Sequence, residues 1–251
     1  MLTFNSNKYD TRSAQTKLLS KTLLVGLFSL ALTACNDDND DPVVITPPPP
    51  PPPAEYSYTV MVTNLTYAQP LSPIAVVLHG DSKMWSVGEA ASVPLEKLAE
   101  GGDNSDFIAD SNVLASSSAE GPLLPGTASS ITISTTDRAA TNLTVATMLV
   151  NTNDAFSGLT GIDISSMAVD ELKSWNLNVY DSGTELNDEA MGSIPGPVDG
   201  GTGFDMARDD VNFVAYHSGV VSQDDGLSSS VLTQAHRFDN PAIKLTITRT
   251  K

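Results

Sequence analysis

Seven consecutive prolines, residues 47–53, constrain this 251-residue chain more than any other feature of its sequence. Proline lacks a backbone N–H and fixes φ, so such a run belongs neither in a helix nor in the interior of a sheet. It favours polyproline II geometry at ~3.1 Å per residue, which gives the run a length of ~20 Å. With the acidic stretch NDDNDD at 36–41, it predicts a disordered, solvated tether over residues 35–55.

The chain ahead of the tether, residues 1–34, has the organisation of an export signal. Two lysines precede the mainly apolar run 23–32, which is too short to span a bilayer, since a spanning helix needs roughly 20 residues. The sequence LTAC at 32–35 follows and resembles the lipobox of bacterial lipoproteins. The alternative is an ordinary secretory signal followed by a chance cysteine, but Cys35 is the only cysteine in the chain.

We therefore expect residues 1–34 to be removed and Cys35 to carry the lipid that anchors the protein in a membrane. The expected location is the cell envelope, on the periplasmic side or at the cell surface, with the outer membrane favoured. A single cysteine also excludes an internal disulfide, so an exported domain must rely on a large core or on bound metal.

Beyond the tether, apolar and polar residues alternate with a period of two, which is typical of half-buried strands. The segments YSYTVMVT at 56–63 and IKLTIT at 243–248 show it most clearly. Further strands are predicted at Ile74–Leu78, Ser130–Thr135, Leu143–Val150, Trp175–Tyr180 and Asn212–His217.

One short helix is predicted between these strands. Ser92 is a suitable N-cap, Pro94 suits an early helical position, and Gly101 can end the helix. Many short strands with one helix indicate an all-β fold, an antiparallel β-sandwich over residues 56–251.

The charge of the chain excludes one class of partner. Residues 1–34 hold four of the 13 basic residues and one of the 30 acidic ones, so the remainder carries a net charge of −20. Such a surface repels the phosphates of nucleic acids, which we exclude as partners.

No catalytic motif stands out in the sequence. The three histidines His79, His217 and His236 form neither an HExxH pair nor any other helical metal-binding spacing, and no G-x-S-x-G elbow occurs. An envelope hydrolase with Asp154, Asp181 or a histidine as general base stays open as an alternative, without a nucleophile signature.

Acidic turns follow two of the predicted strands. NTND at 151–154 follows the strand 143–150, with Asp163 just beyond it, and DSGTELNDE at 181–189 follows the strand 175–180. Calcium takes 6–8 oxygen ligands from carboxylates, amides and carbonyls, and loops at one end of a sandwich bring such oxygens together. The alternative is that these are ordinary turns, in which Asp, Asn and Gly are common for backbone reasons.

Several segments resemble the spondin N-terminal domain family in a bacterial, single-domain lipoprotein form. They run in family order over 56–250 and are YSYTVMVTNLTYAQPLSPIAVVLH (56–79), VPLEKLAEGGDNS (93–105), ATMLVNTNDAFSGLTGIDIS (146–165), LNVYDSGTELNDE (177–189), IPGP (194–197) and HRFDNPAIKLTITR (236–249). The most specific parts are TNDAFSGL at 152–159 and YDSGTELNDE at 180–189. The resemblance implies an antiparallel β-sandwich and, as in extracellular animal relatives, a calcium site and adhesive binding to glycans.

The same resemblance implies which residues bind the metal. Asp154 matches the acid of the family's P-S-P-D loop, with asparagines in place of the prolines, and Asp163 matches the acid after the following glycine. Asp181 matches the acid of the Y-D-A-G-T segment, and Glu185 stands where animal members have Asp. The cysteines of the animal domains are absent.

The leading hypothesis is therefore a membrane-anchored, non-enzymatic adhesion or ligand-binding domain with Ca²⁺ as its cofactor and a glycan or surface protein as its ligand. A structural envelope component without a soluble ligand is a further alternative.

Overall fold

Short alternating segments pair into two antiparallel sheets in the computed structural model, which describes residues 49–251. Within that range the strands are β1 Tyr56–Asn64, β2 Ala75–His79, β3 Val113–Ser118, β4 Ala128–Thr135, β5 Asn142–Met148, β6 Ala155–Asp163, β7 Leu172–Leu177, β8 Val179–Asp181, β9 Ala215–Tyr216 and β10 Ile243–Arg249. The α-helices are α1 Val93–Gly101 and the single turn α2 Ser105–Ile108, and short 3₁₀ turns lie at Gln223–Asp225 and Gln234–His236.

The two sheets enclose the main core of the domain. One sheet has the order β4-β1-β10-β7, and the other has the order β3-β2-β5-β6-β8-β9. The alternation predicted for β1 is present, because Tyr58, Val60 and Val62 are buried while Met61 between them is 42% exposed. Facing side chains such as Leu78 and Leu143 complete this core. The prediction of an all-β sandwich is confirmed.

The helices bury the outer face of the six-stranded sheet in a second core. Leu98 and Phe107 pack there with Phe156 and Trp85. The Ser92 hydroxyl caps α1 by accepting a hydrogen bond from Leu95 N at 3.4 Å, as predicted. The chain then leaves the helix through Gly102, whose φ of 68° favours glycine. The one-turn α2 had no clear signal in the sequence.

Three segments depart from the predicted strands. The segment predicted as one strand at 175–180 divides at Asn178 into β7 and β8, which belong to different sheets. Residues 155–163, for which no strand was predicted, form the nine-residue strand β6. The strand predicted at 212–217 shrinks to the two residues of β9.

The sandwich has two distinct ends. At the near end, where the chain joins β1, Tyr56 pairs with Thr135 of β4, and the short connection from β4 leads to Asn142 at the start of β5. At the far end, the side chain of Asn64 at the close of β1 donates to the carbonyl of Gln69 at 2.8 Å, and Gln69 in turn contacts the turn that follows β5. The β5–β6 turn therefore lies at the end opposite to the chain's point of attachment.

The predicted signal, Cys35 and the acidic part of the tether lie outside the described residues. Within residues 49–251, no helix has the length and apolar character needed to cross a membrane.

Gly158 in β6 gives a test of the sheet packing. A Cβ added there would overlap the carbonyl oxygen of Val145, whereas one added at Gly80 would meet nothing closer than 3.8 Å. Because overpacking costs about 1–3 kcal/mol, Gly158→Ala should lower the melting temperature by about 3–10 °C. Gly80→Ala is the matched control and should change it by less than about 2 °C. Equal melting temperatures for the two variants in calorimetry would contradict the tight β5–β6 packing.

Candidate metal centre

The β5–β6 turn, residues 151–154, is buried and held in place by a glutamine. Gln69 donates its amide to the carbonyl of Asn151 at 3.1 Å and accepts the backbone N–H of the same residue at 3.1 Å. The side chain of Asn151 donates to the carbonyl of Ala68 at 3.0 Å. This pairing supplies partners for a polar turn that would otherwise be costly to bury.

Asp154 ends this turn and is fully buried. Its Oδ2 accepts hydrogen bonds from Ser182 Oγ at 2.8 Å, from Thr184 N at 2.9 Å and from Glu185 N at 3.2 Å. Its Oδ1 has no hydrogen-bond partner among the described residues. The carboxylate therefore fixes the 182–185 turn with one oxygen and leaves the other free inside the protein.

Three more buried acceptor oxygens lack a donor in the described part of the chain and neighbour Asp154: Asn153 Oδ1, Glu185 Oε2 and Glu100 Oε1. Asn153 precedes Asp154 in the sequence. Glu185 lies close enough to Asp154 and Glu100 for their charges to raise its pKa. We call these four residues the oxygen cluster. An unpartnered buried polar atom costs about 1–3 kcal/mol, so four in one place require an explanation.

The carboxyl groups of the oxygen cluster are electrostatically frustrated. Burial raises the pKa of Asp154 to about 7, and the charge of Asp181 adds to this effect. Burial raises the pKa of Glu185 to about 8, with further contributions from the charges of Glu100 and Asp154. Burial also raises the pKa of Glu100. A nearby positive charge would relieve all three.

One segment of chain, residues 204–213, covers the oxygen cluster. The backbone N–H of Asp205 donates to Glu100 Oε2 at 2.9 Å. The backbone N–H of Asp209 donates to the carbonyl of Thr184 at 3.2 Å. The guanidinium of Arg208 links this segment to Glu96 of α1. Its Nε donates to Glu96 Oε1 at 3.0 Å, and a terminal nitrogen donates to Glu96 Oε2 at 2.5 Å. Asp154, Glu100 and Asn153 are thus buried beneath this segment and its neighbours, while Glu185 is half-buried.

Asp181 lies beside the oxygen cluster, but both of its oxygens are engaged. Oδ1 accepts from Gly183 N at 2.7 Å, and Oδ2 accepts from the Asn187 amide at 2.5 Å. The Asn187 oxygen stands 3.3 Å from Nε2 of His217, whose pKa is lowered mainly by burial. Asp181 therefore organises the 183–187 turn and contributes its charge to the field at Asp154.

Asp163 does not join the other predicted ligands, and the expectation that it converges with them is wrong. It ends β6 at the near end, paired with Asn142, whereas Asp154 immediately precedes the same strand at the far end. Nine residues of strand separate the two by ~30 Å. Asp163 is exposed, and Ser165 donates to it from N at 2.9 Å and from Oγ at 2.6 Å. These bonds hold the pKa of Asp163 below its ordinary value.

Sequence reasoning missed Glu100 and Asn153. The available signal for Glu100 was its place four residues after Glu96, on the face of α1 that carries Leu95 and Ala99. Both glutamates are nearly fully buried, at 2% and 1% exposure. Buried acids on the apolar face of a helix need a partner, and Arg208 forms an ion pair with Glu96.

The chemistry of the oxygen cluster restricts which metal it would suit. Its free atoms are carboxylate and amide oxygens, which calcium and magnesium prefer, whereas zinc favours nitrogen and sulfur ligands. Over residues 49–251, no three side chains from His, Cys, Asp and Glu are already arranged to hold a metal ion. Asn153 would add an amide oxygen, a ligand that this set of residue types does not include. To bind an ion, the carboxyl groups would have to turn towards the ion.

Comparison with family models and with curated proteins gives no match for this chain. The resemblance to the spondin N-terminal domain family stays a prediction.

The raised pKa values predict how stability depends on pH without metal. The pKa values of Asp154 and Glu185 rise to about 7 and about 8 from ordinary values of 3.8 and 4.5. The folded chain then binds more protons than the unfolded chain between roughly pH 4 and pH 8, so its stability falls as the pH rises through that window. The melting temperature in chelator should be lower at pH 8.5 than at pH 5.

Asp154→Asn should remove part of this slope, and at pH 8.5 in chelator it should stabilise the domain by about 1–3 kcal/mol, because it removes a buried charge. Asp163→Asn is the control, since its carboxyl is exposed and its pKa is lowered. If the two variants have the same pH dependence in thermal unfolding, the electrostatic account of the cluster is wrong.

Proposed function

We propose that this chain is an exported, membrane-anchored domain of the bacterial envelope that binds calcium and acts by adhesion or ligand binding. The oxygen cluster is the main observation that supports the proposal. Asp154, Glu185, Glu100 and Asn153 would hold the ion, which would supply the positive charge that their buried oxygens lack. Asp181 would act as a neighbour that shapes the turn.

Calcium would have a structural role in this proposal. The oxygen cluster draws on the β5–β6 turn, the 182–185 turn and helix α1, which are distant in sequence. One ion bound by all three would fix the loops of the far end against each other. The binding surface of the domain would then be the far end, with loops whose conformation depends on the metal.

The position of the cluster suits an anchored protein. Residues 49–55 join β1 at the near end, and the cluster lies at the far end. In a chain held by lipid on Cys35 and a Pro-rich tether, the far end would be the end opposite to the point of attachment. A glycan or another surface protein is the class of ligand that we propose for this end, in line with the family resemblance of segments 152–159 and 180–189.

An enzymatic role has less support. A general base must come within hydrogen-bond reach of its substrate, yet Asp154 is fully buried and residues 204–213 cover the cluster. His217 is 5% exposed and its Nδ1 accepts the backbone N–H of Gly219 at 2.9 Å. A panel of hydrolase substrates would test this reading, and turnover that disappears in Asp181→Ala would favour an enzyme.

Calcium should stabilise the purified full chain. At a free concentration 100 times its Kd, an ion that binds only the folded state adds about 2.7 kcal/mol, which for a domain of this size raises the melting temperature by about 5–10 °C. Asp154→Asn and Glu185→Gln should abolish this increase.

Glu189→Gln is the matched control for the calcium experiment. Glu189 is 3% exposed, and its Oε2 has no hydrogen-bond partner within residues 49–251, but its other oxygen accepts from Val221 N at 3.1 Å, outside the cluster. This variant should keep the calcium response. Identical unfolding of the parent chain in chelator and in excess calcium would refute the metal assignment, and a crystal structure grown with calcium would show the ligands directly.

A further inference from the structure

Strand β4 forms an edge of the four-stranded sheet and lacks the usual protection of such edges. Natural edge strands carry charges, prolines or bulges that prevent pairing with other chains. β4 has the sequence ASSITIST, without any charged residue or proline, and its eight residues pair with β1 in continuous register. Beside it, a cleft of about 520 Å³ opens between residues 117–123 and 128–132. Residues 128–132 of β4 face this cleft, and residues 117–123 form its opposite wall.

The pairing of β1 shows which backbone groups of β4 point outward. The backbone of Asn64 bonds to the residues that lead into β4, whereas that of Ser57 bonds to the chain end beyond β10. Because strand geometry alternates, the even-numbered residues of β1 bond to β4, and their partners there are odd-numbered. The N–H and C=O groups of Ser130, Thr132 and Ser134 therefore face away from β1.

No backbone partner for these three residues occurs on that side within residues 49–251. Their hydrogen-bonding groups offer a ready template for a further antiparallel strand.

The sequence of β4 is symmetric about Thr132. Ile131 and Ile133 flank it, Ser130 and Ser134 come next, and hydroxyl residues follow at 129 and 135. In an antiparallel pair of two β4 strands centred on Thr132, isoleucine lies opposite isoleucine and serine opposite serine. The apolar side chains stay on the core face, the hydroxyls stay on the outer face, and no like charges meet.

The centre of this symmetry also satisfies the hydrogen-bonding pattern. Thr132 is among the residues whose backbone groups face outward, so two copies of Thr132 form a hydrogen-bonded pair about a two-fold axis. Ser130 then pairs with Ser134 of the second copy on each side of the axis. A register centred on an odd-numbered residue would place groups already bonded to β1 at the junction.

We propose that β4 is a homodimerisation edge, at which two copies of this chain pair antiparallel about a two-fold axis through Thr132. The two four-stranded sheets become one continuous sheet of eight strands, in an isologous interface. The symmetry of the edge favours a second copy over a foreign strand, because the same residues complement themselves in both directions.

Disulfide trapping tests this register in the full chain. The Cα atoms of a hydrogen-bonded antiparallel pair stand ~5.5 Å apart, within the 4.4–6.8 Å range of disulfides, so Thr132→Cys should give a covalent dimer under mild oxidation. Ser134→Cys is the matched control, because four residues of strand, ~14 Å, separate its two copies. The parent chain, which has only Cys35, gives the background.

Most of the Thr132→Cys chain should run as a dimer on a non-reducing gel, at least about fivefold above Ser134→Cys and the parent. The variant Thr132→Pro should sediment as a monomer. Its melting temperature should stay within a few degrees of that of the parent chain, since the lost N–H does not bond to β1. Equal trapping in both cysteine variants, or a parent chain that sediments as a monomer up to ~100 µM with no trapping at position 132, would overturn the proposal. The second result would leave a foreign strand as the occupant of this edge.

Discussion

Burial of the β5–β6 turn is the constraint on which the far end of the domain depends. A turn of Asn, Thr, Asn and Asp has many polar groups, yet all four residues are at most 3% exposed. Gln69 pairs with the first of them, and the hydroxyl of Thr152 donates to the carbonyl of Leu149 at 2.6 Å. Asp154 then binds the 182–185 turn through one oxygen, so the conformation of one loop determines that of the next. Within residues 49–251 this network leaves a set of oxygens without hydrogen-bond donors, and a bound cation, as proposed, would supply the positive charge that these oxygens favour.

The alternation of residue types was sufficient to predict most of the sandwich but not β6. Strands β1 and β10 have one face in the core and one outside, which produces a clear period of two. β6 begins with Ala155-Phe156-Ser157-Gly158, all buried, because the sandwich core covers one face and the helical layer covers the other. Burial on both faces removes the alternation, and the glycines within the strand give it the appearance of a loop. The misplacement of Asp163 follows from this, since a strand separates what a loop would have brought together.

The candidate site depends on contacts that the local sequence does not encode. Asp154, Asp181 and Glu185 belong to turns that could be recognised from composition, and two of them prove to be neighbours in the cluster. Glu100 reaches the cluster only because α1 packs on the outer face of the six-stranded sheet, where it meets a turn more than 80 residues later in the chain. The amphipathic pattern predicts the helix, but it does not assign a role to an acid on the apolar face. In this fold the two acids on that face are the informative residues, one paired with Arg208 and the other turned towards the oxygens.

The proposed dimer places a geometric condition on the proposed membrane anchor. A two-fold axis normal to the sheet reverses the direction of the second copy, so the near end of one copy lies beside the far end of the other. If both copies were anchored in one membrane, the tether of the inverted copy would have to extend along the full height of the domain. That height is ~30 Å, the length of the nine-residue strand β1. The predicted tether, residues 35–55, has 21 residues, and a segment of that length would reach ~65 Å if it were extended as polyproline II, enough to pass that distance. A short tether would restrict pairing to copies on facing surfaces. The predicted tether is long enough for both arrangements, so the proposed anchors would not prevent the edges from meeting.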